Sequence, residues 1–265
     1  HLTFDFNGTD SQVRDPINVQ YSVLMKVIST CLVSMTDPNI PEHVGIARAF
    51  SVVANEGIVL NPVSPAPVGN TTMVQTALID IVQKCLLTLK GARASGNRGG
   101  HGVVVLGWRD GLVPGRKYVQ YEIQKSASGA LEGKDGVSAV NPLDYQYDAA
   151  ALSSVGVLET PVEIIEAQYP VRINRYELIP DSGGPGKFRG GVSPRRVYEA
   201  LTTCDLNVRH AVSFDIPSGG VDGGFPGRLG HVVINSGTRS EIEVAGWSHE
   251  VNPGDTVTFE GGGGG

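Results

Sequence analysis

The chain has 265 residues, 40% of them hydrophobic and 18% charged, with 35 glycines and a net charge of -6. That is the composition of an ordinary soluble globular protein, and the acidic balance with scattered lysines and arginines excludes a basic nucleic-acid surface. The most apolar run, Val103 to Trp108, is far short of a bilayer span, and the three cysteines, Cys31, Cys85 and Cys204, lie too far apart for a C-x-x-C site and suit a reducing cytoplasm.

In chain order, the opening residues LTFDF alternate as a strand does. Between Ile17 and Met35, the residues Leu24, Val27, Ile28, Cys31, Leu32 and Met35 recur at the spacing of one helical face. The stretch IVLNPVSPAPVGN holds three prolines, which deny the backbone its donors and predict an extended connector. TTMVQTALIDIVQKCLLTLKG then predicts a second amphipathic helix, its face formed by Val74, Ala77, Leu78, Ile81, Val82, Cys85, Leu86 and Leu89. Thr72 and Gln75 fit a capping box, Lys84 and Lys90 suit the negative end of the helix, and Gly91 can close it.

Beyond Gly91 the pattern turns to short strands: HGVVVLGW, KYVQYEIQ, PVEII, VRINRYEL, VSPRRVYEA, DLNVRHAVSF, HVVINS, SEIEVA and DTVTFE. A hairpin is expected across Ser236 to Arg239, and NPGD at Asn252 to Asp255 predicts a type II turn. The fold expected is α+β, with a mixed N-terminal part over residues 1–115 containing two amphipathic helices, followed by a β-rich C-terminal part over 116–265. Because the chain opens on His1 within a strand pattern and stops in GGGGG, it is expected to be a piece of a longer polypeptide or one product of a split chain.

PDSGGPGKFRGG, Pro180 to Gly191, places two basic side chains among five glycines. A Walker A loop requires Ser or Thr after Gly-Lys, to reach the nucleotide's magnesium, but Lys187 is followed by Phe188. A dinucleotide fingerprint requires G-x-G-x-x-G opening a helix; from Gly184 the run is one residue too long, and VSPRRVYEA after it is strand-like. The stretch therefore reads as a tight multi-glycine turn between strands. The histidines show no ligand spacing, so no metal ligand is assigned in this chain, and no G-x-S-x-G elbow occurs.

Two polar clusters remain. ARASGNRGGHG, Ala92 to Gly102, is a glycine-rich loop that offers Asn97, Arg98 and His101 as ligand contacts or serves as a simple connection. YEIQKSASGALEGKDG sets Glu122 in a strand, either as a buried acid with a role or as a carboxylate paired with a nearby cation.

In order along the chain, DFNGTD near Asp5, PIN at Pro16, LNP at Leu60, TPVEIIEAQYPVRINRYEL from Thr160 to Leu178, PDSGGPGKFRGG and the closing PGD and GGGGG resemble the hydantoinase B family. That family includes the B components of N-methylhydantoinases and 5-oxoprolinases and is related to the large subunits of acetone carboxylase-type enzymes. The resemblance covers essentially the whole chain and corresponds to the family's C-terminal half. It implies ATP-dependent hydrolysis of a cyclic amide. A hydantoinase A-like ATPase subunit phosphorylates the substrate oxygen, and the B component completes ring opening.

By the same resemblance, ATP sits on the partner subunit. A divalent metal belongs to the N-terminal half of hydantoinase B, on the same or another chain, where a G-G-T-H-x-x-D pattern absent here is expected. Glu122 is then the expected catalytic residue, with Asn97 and His101 lining the substrate site, in a cytoplasmic hetero-oligomer. Between Asp135 and Thr160 the family's H-T-H-M-T-N-T-R-N run is replaced by NPLDYQYDAAALSSVGVLE, without histidine. If that run lines the site, the substrate differs from a hydantoin or oxoproline. A ketone carboxylase subunit and a non-catalytic scaffold subunit are the alternatives.

Overall fold

The computed structural model describes residues 1–265 apart from 38, 42, 90, 93–94, 101, 110–112, 114, 140–158, 211 and 245–247. They form two compact units, His1–Ala94 and, among the described residues beyond it, the chain from Ser95 onward. No helix among the described residues is long and apolar enough to cross a membrane.

In the first unit, β1 (Leu2–Asp5) pairs in parallel with β2 (Phe50–Val53), a strand that the sequence pattern did not anticipate. The helix α1 (Tyr21–Met35) buries Leu24, Val27, Ile28, Cys31, Leu32 and Met35, the face their spacing predicts. It starts later than Ile17 because the residues before it are pinned by Asn18, which is wholly buried. The Asn18 amide accepts the Val13 N–H at 3.0 Å and donates to the carbonyls of Val13, Asp15 and Pro67 at 2.9, 3.1 and 2.8 Å.

The second helix, α2 (Thr71–Leu86), packs on α1, but not as its sequence suggests. No capping box forms: the helix has already begun at Thr71, whose hydroxyl donates to the carbonyls of Asn18 and Val68 at 2.8 and 2.7 Å. Its buried residues are Met73, Thr76, Leu78, Val82, Gln83 and Leu86, while Cys85 is exposed and Ile81 is 56% exposed. Gly91, with a φ of 83°, lies beyond the helix end, and Lys90 lies outside the described residues.

The second unit contains β3 (Gly102–Trp108), β4 (Tyr118–Gln124), α3 (Val162–Gln168), β5 (Val171–Leu178), β6 (Pro194–Ala200), β7 (Cys204–His210), β8 (His231–Ile234), β9 (Ile242–Glu243), β10 (His249–Val251) and β11 (Thr256–Glu260). They make a four-stranded sheet in the order β10-β7-β3-β4 and a five-stranded sheet in the order β5-β6-β11-β8-β9, antiparallel throughout. Strand alternation turns Val104, Leu106 and Trp108 of β3 and Leu206 and Val208 of β7 inward. They share one core with Tyr198 and Ala200 of β6, Val232 and Ile234 of β8, and Val257 and Phe259 of β11. This is the two-layer sheet packing that period-two burial produces.

The fold class is α+β, as expected. The expected division at 115/116 falls between β3 and β4, which pair from Gly102 with Gln124 to Trp108 with Tyr118. The β8–β9 hairpin is present. So is the turn at NPGD, where the Asp255 N–H donates to the Asn252 carbonyl at 3.0 Å and Gly254 has a φ of 87°. One element type is corrected: PVEII, predicted as a strand, lies in the helix α3. Pro161 sits at its N-cap with Glu163 in the first turn, and Tyr169, extended before Pro170, ends it. Glu166 of α3 accepts the Ile173 N–H at 2.8 Å and ties the helix to β5.

Candidate functional site

PDSGGPGKFRGG joins β5 to β6, and its glycines serve a contact between backbones. Gly261 to Gly265 run buried beside it. The Gly184 N–H donates to the Gly264 carbonyl at 2.7 Å, the Gly264 N–H to Gly191 at 3.1 Å, the Gly263 N–H to Arg228 at 2.9 Å, and the Gly265 N–H to Asn97 at 2.8 Å. A Cβ on Gly263 would lie 1.7 Å from the Ser182 carbonyl oxygen, and one on Gly264 would lie 1.8 Å from that of Ser128. No residue but glycine leaves room for such an approach.

Buried serines complete this layer. Ser126 donates to the Gly262 carbonyl at 2.8 Å, Ser218 to Arg98 at 2.7 Å, and Ser213 to Gly99. In the PDSGGPGKFRGG turn, the N–H groups of Gly184, Gly190 and Gly191 are bound to carbonyls of Gly264, Gly184 and Ser128, and that of Arg189 to the Asp135 carboxylate. An anion cradle needs such donors free and convergent. Here those four are taken within the protein.

The three site residues expected from sequence have different fates. Asn97 is half-buried in the glycine layer, its N–H donating to the Gly219 carbonyl at 2.8 Å. His101 lies outside the described residues. Glu122, on β4, points between the two sheets with Gln120 and Gln124, all three buried. Its carboxylate accepts from Arg196 Nη1 at 2.6 Å, the Tyr198 hydroxyl at 2.8 Å and Gln120 Nε2 at 2.9 Å, and Gln124 donates to the Tyr198 oxygen at 2.7 Å.

Arg196 is 2% exposed, and its guanidinium carbon lies 4.8 Å from the Tyr176 ring centroid and 5.4 Å from that of Tyr198, a cation–π arrangement in a desolvated setting. Burial works against its charge, but the adjoining Tyr198 and Glu122 outweigh it, and Arg196 is held above the usual arginine value. Burial, with Glu122 alongside, pushes the Tyr198 phenol well above its ordinary value. Tyr176 is pushed up too, first by burial and then by its hydrogen bond to Glu159. A carboxylate gripped by an arginine and two further donors is fixed in place, with three of its acceptor positions occupied. That geometry positions neighbours better than it shuttles protons. The signal for this cluster lay in the alternation of polar residues, Q-x-E-x-Q in β4 and R-x-Y in β6, on strands otherwise apolar at those positions.

A second charged group surrounds buried Glu260, which meets Arg195 Nε at 2.5 Å, Arg228 Nη2 at 2.6 Å and His231 Nε2 at 3.3 Å. On the other side of the four-stranded sheet, a cleft of about 410 Å³ is lined by Arg109, Cys204, Asp205 and Glu250, among others. Burial, with Asp205 and Asp255 nearby, pushes the Cys204 thiol up to about 12, so it is no nucleophile at neutral pH. Among the described residues, no group of three or more His, Cys, Asp and Glu side chains is placed to hold a metal ion. The divalent metal that the resemblance implies therefore finds no donor set among them.

A sequence model of the family described as Hydantoinase B/oxoprolinase matches residues 1–265. An uncharacterized protein of Methanocaldococcus jannaschii is 34% identical over 242 residues, 90% of this chain and 40% of the relative. The B component of a putative D-/L-hydantoinase from Pseudomonas sp. is 30% identical over 248 residues, 91% of this chain and 40% of the relative. The crystal structure of the ATP-dependent caprolactamase from Pseudomonas jessenii aligns with 97% of this chain and 44% of its own, at 25% identity and a TM-score of 0.75. A nucleotide-free acetone carboxylase aligns with 99% of this chain and 39% of its own, at a TM-score of 0.71 and 14% identity, and so shares the fold. The chain spans about 40% of the length of the first two relatives.

Proposed function

The chain belongs to the Hydantoinase B/oxoprolinase family, and we propose that it forms a C-terminal part or subunit of an ATP-dependent enzyme that opens cyclic amides. The observation that carries this reading is the superposition on the caprolactamase over 97% of the chain. The 30% identity to a hydantoinase B component supports it. Both relatives are named for chemistry on ring amides.

In this reading a hydantoinase A-like ATPase partner holds ATP and phosphorylates the substrate oxygen, because an amide oxygen is otherwise a poor leaving group. The present chain then takes part in ring opening. Nucleotide binding on the partner is in keeping with the PDSGGPGKFRGG turn, four of whose N–H groups are already bound within the protein. The metal is assigned to the N-terminal half of hydantoinase B, on the same or another chain. Asn97 and His101 are proposed as substrate contacts. Glu122, proposed from sequence as catalytic, is supported by its geometry as a positioning residue. Three free cysteines suit a cytoplasmic setting.

The test is reconstitution with the ATPase partner and the remaining family segment, followed by ATP consumption with and without a lactam or hydantoin. Consumption that depends on the ring amide is the expected result. Turnover only with a ketone and bicarbonate makes the protein part of a carboxylase, and a stable complex that turns over neither substrate makes it a scaffold.

A further inference from the structure

We propose that the open edge of β1 is a docking site for one further strand, supplied by the family polypeptide that lies outside these residues. The proposal rests on the family membership above and concerns the first unit alone.

Among the described residues, β1 pairs with β2 and with no other strand. A parallel pair is the least self-sufficient kind of sheet, since parallel strands are normally covered on both faces and two strands rarely stand alone. The Phe6 N–H donates to the Val53 carbonyl at 2.8 Å. In a parallel ladder with that phase, the N–H and C=O groups of Thr3 and Asp5 point away from β2, toward the other edge.

A groove of about 320 Å³ follows that edge, lined by every residue from Leu2 to Phe6 and by Ile81, Val82, Cys85 and Leu86 of α2. Successive side chains of a strand point to opposite faces. A groove that reaches all five therefore runs along the strand's edge. Its other wall is α2, where Val82 and Leu86 are buried while Ile81 is 56% exposed and Cys85 is also exposed. Main-chain groups with no strand partner among the described residues, beside a wall that exposes Ile81 and Cys85, call for an extended segment with apolar residues at alternate positions, which is the strand-addition mode of recognition. Length supplies a source for that strand: the greater part of the hydantoinase B relative, of which this chain covers 40%, and of the caprolactamase chain, of which it covers 44%, lies outside the matched region.

Cys85 is a built-in probe, because Cys31 and Cys204 are buried. The chain is co-expressed with the unmatched part of the Pseudomonas sp. hydantoinase B component, and the purified complex is compared with the chain alone for N-ethylmaleimide labelling of Cys85 and amide exchange at Thr3 and Asp5. Labelling slowed at least about tenfold, with both amides newly protected, is the expected result. Ile81→Glu should weaken the complex, whereas Ile164→Glu, at an exposed position of the second unit, should not. Equal labelling and exchange in the complex and in the chain alone overturn the proposal, as does failure to form a complex. A dimer of the chain alone with Cys85 protected overturns it in favour of a second copy. ATP consumption is read separately: a protected Cys85 without lactam-dependent turnover counts against the proposed function alone, and turnover with an open Cys85 counts against the docking site alone.

Discussion

Arg196 Nη1 lies 2.6 Å from Glu122 Oε1, with the two side chains 3% and 7% exposed between the sheets of the second unit. Removing one partner strands the other's charge in the interior. Glu122→Ala should cost about 3–5 kcal/mol in urea unfolding. The double replacement Glu122→Leu with Arg196→Met should recover most of that loss, because no charge is left unpaired. Glu122→Gln separates the two roles of the residue: a folded variant whose reconstituted turnover falls more than about a hundredfold would make the carboxylate part of the chemistry, against the positioning role its geometry supports.

Glycine replacements should sort by what surrounds them. Gly263→Ala places a Cβ 1.7 Å from the Ser182 carbonyl oxygen, and should lower stability by more than about 4 kcal/mol or prevent folding. At Gly57 the space is open but φ is 88°, so alanine there should cost only about 1 kcal/mol of backbone strain. Gly8 has open space and no such φ, and Gly8→Ala should leave the thermal midpoint unchanged.

Alkaline pH should weaken the second unit. The folded pKa of the Cys204 thiol is raised from 9.0 to about 12. Below pH 9 both folded and unfolded states keep the proton. Between pH 9 and about 12 the unfolded chain releases it while the folded chain holds it, so stability falls as pH rises. Tyr198, also raised, acts in the same direction above pH 10. Unfolding midpoints followed from pH 8 to 11 should decline, and Cys204→Ala should flatten the earlier part of that decline.

Asn18 should prove the most sensitive polar residue of the first unit. It satisfies one N–H and three carbonyls. Asn18→Ala leaves those groups without their partner and should cost at least about 2 kcal/mol. Asn18→Asp should be no better, since it keeps the acceptor and loses the donor facing three carbonyls. Urea denaturation of the three proteins checks both expectations.

The polar cluster was only half legible in the sequence. Glu122 stood out as a charged residue in a strand, but Arg196 and Tyr198, far along the chain, were marked by nothing except alternation. Their meeting depends on how β4 and β6 face each other. Asn97 was chosen for its side chain, and the structure gives its backbone a place in the glycine layer. PDSGGPGKFRGG could be denied the standard phosphate motifs by spacing, but only the tertiary structure explains its glycines: a Cβ on Gly190 would meet the Gly264 carbonyl oxygen at 1.9 Å, one on Gly184 that of Phe225 at 2.2 Å and one on Gly191 that of Val137 at 2.2 Å.

By itself the sequence determined what rests on local geometry: the buried face of α1, most of the strands, the NPGD turn and the run of motifs that marks the family. Each depends on the direction of successive Cβ atoms or on the φ that a few residues permit. The tertiary structure decided which side of α2 is covered, that PVEII turns as a helix between Pro161 and Pro170, and that Glu122 has an arginine for a partner. Those outcomes follow from packing between segments distant in sequence, where burial and desolvation outweigh local preference.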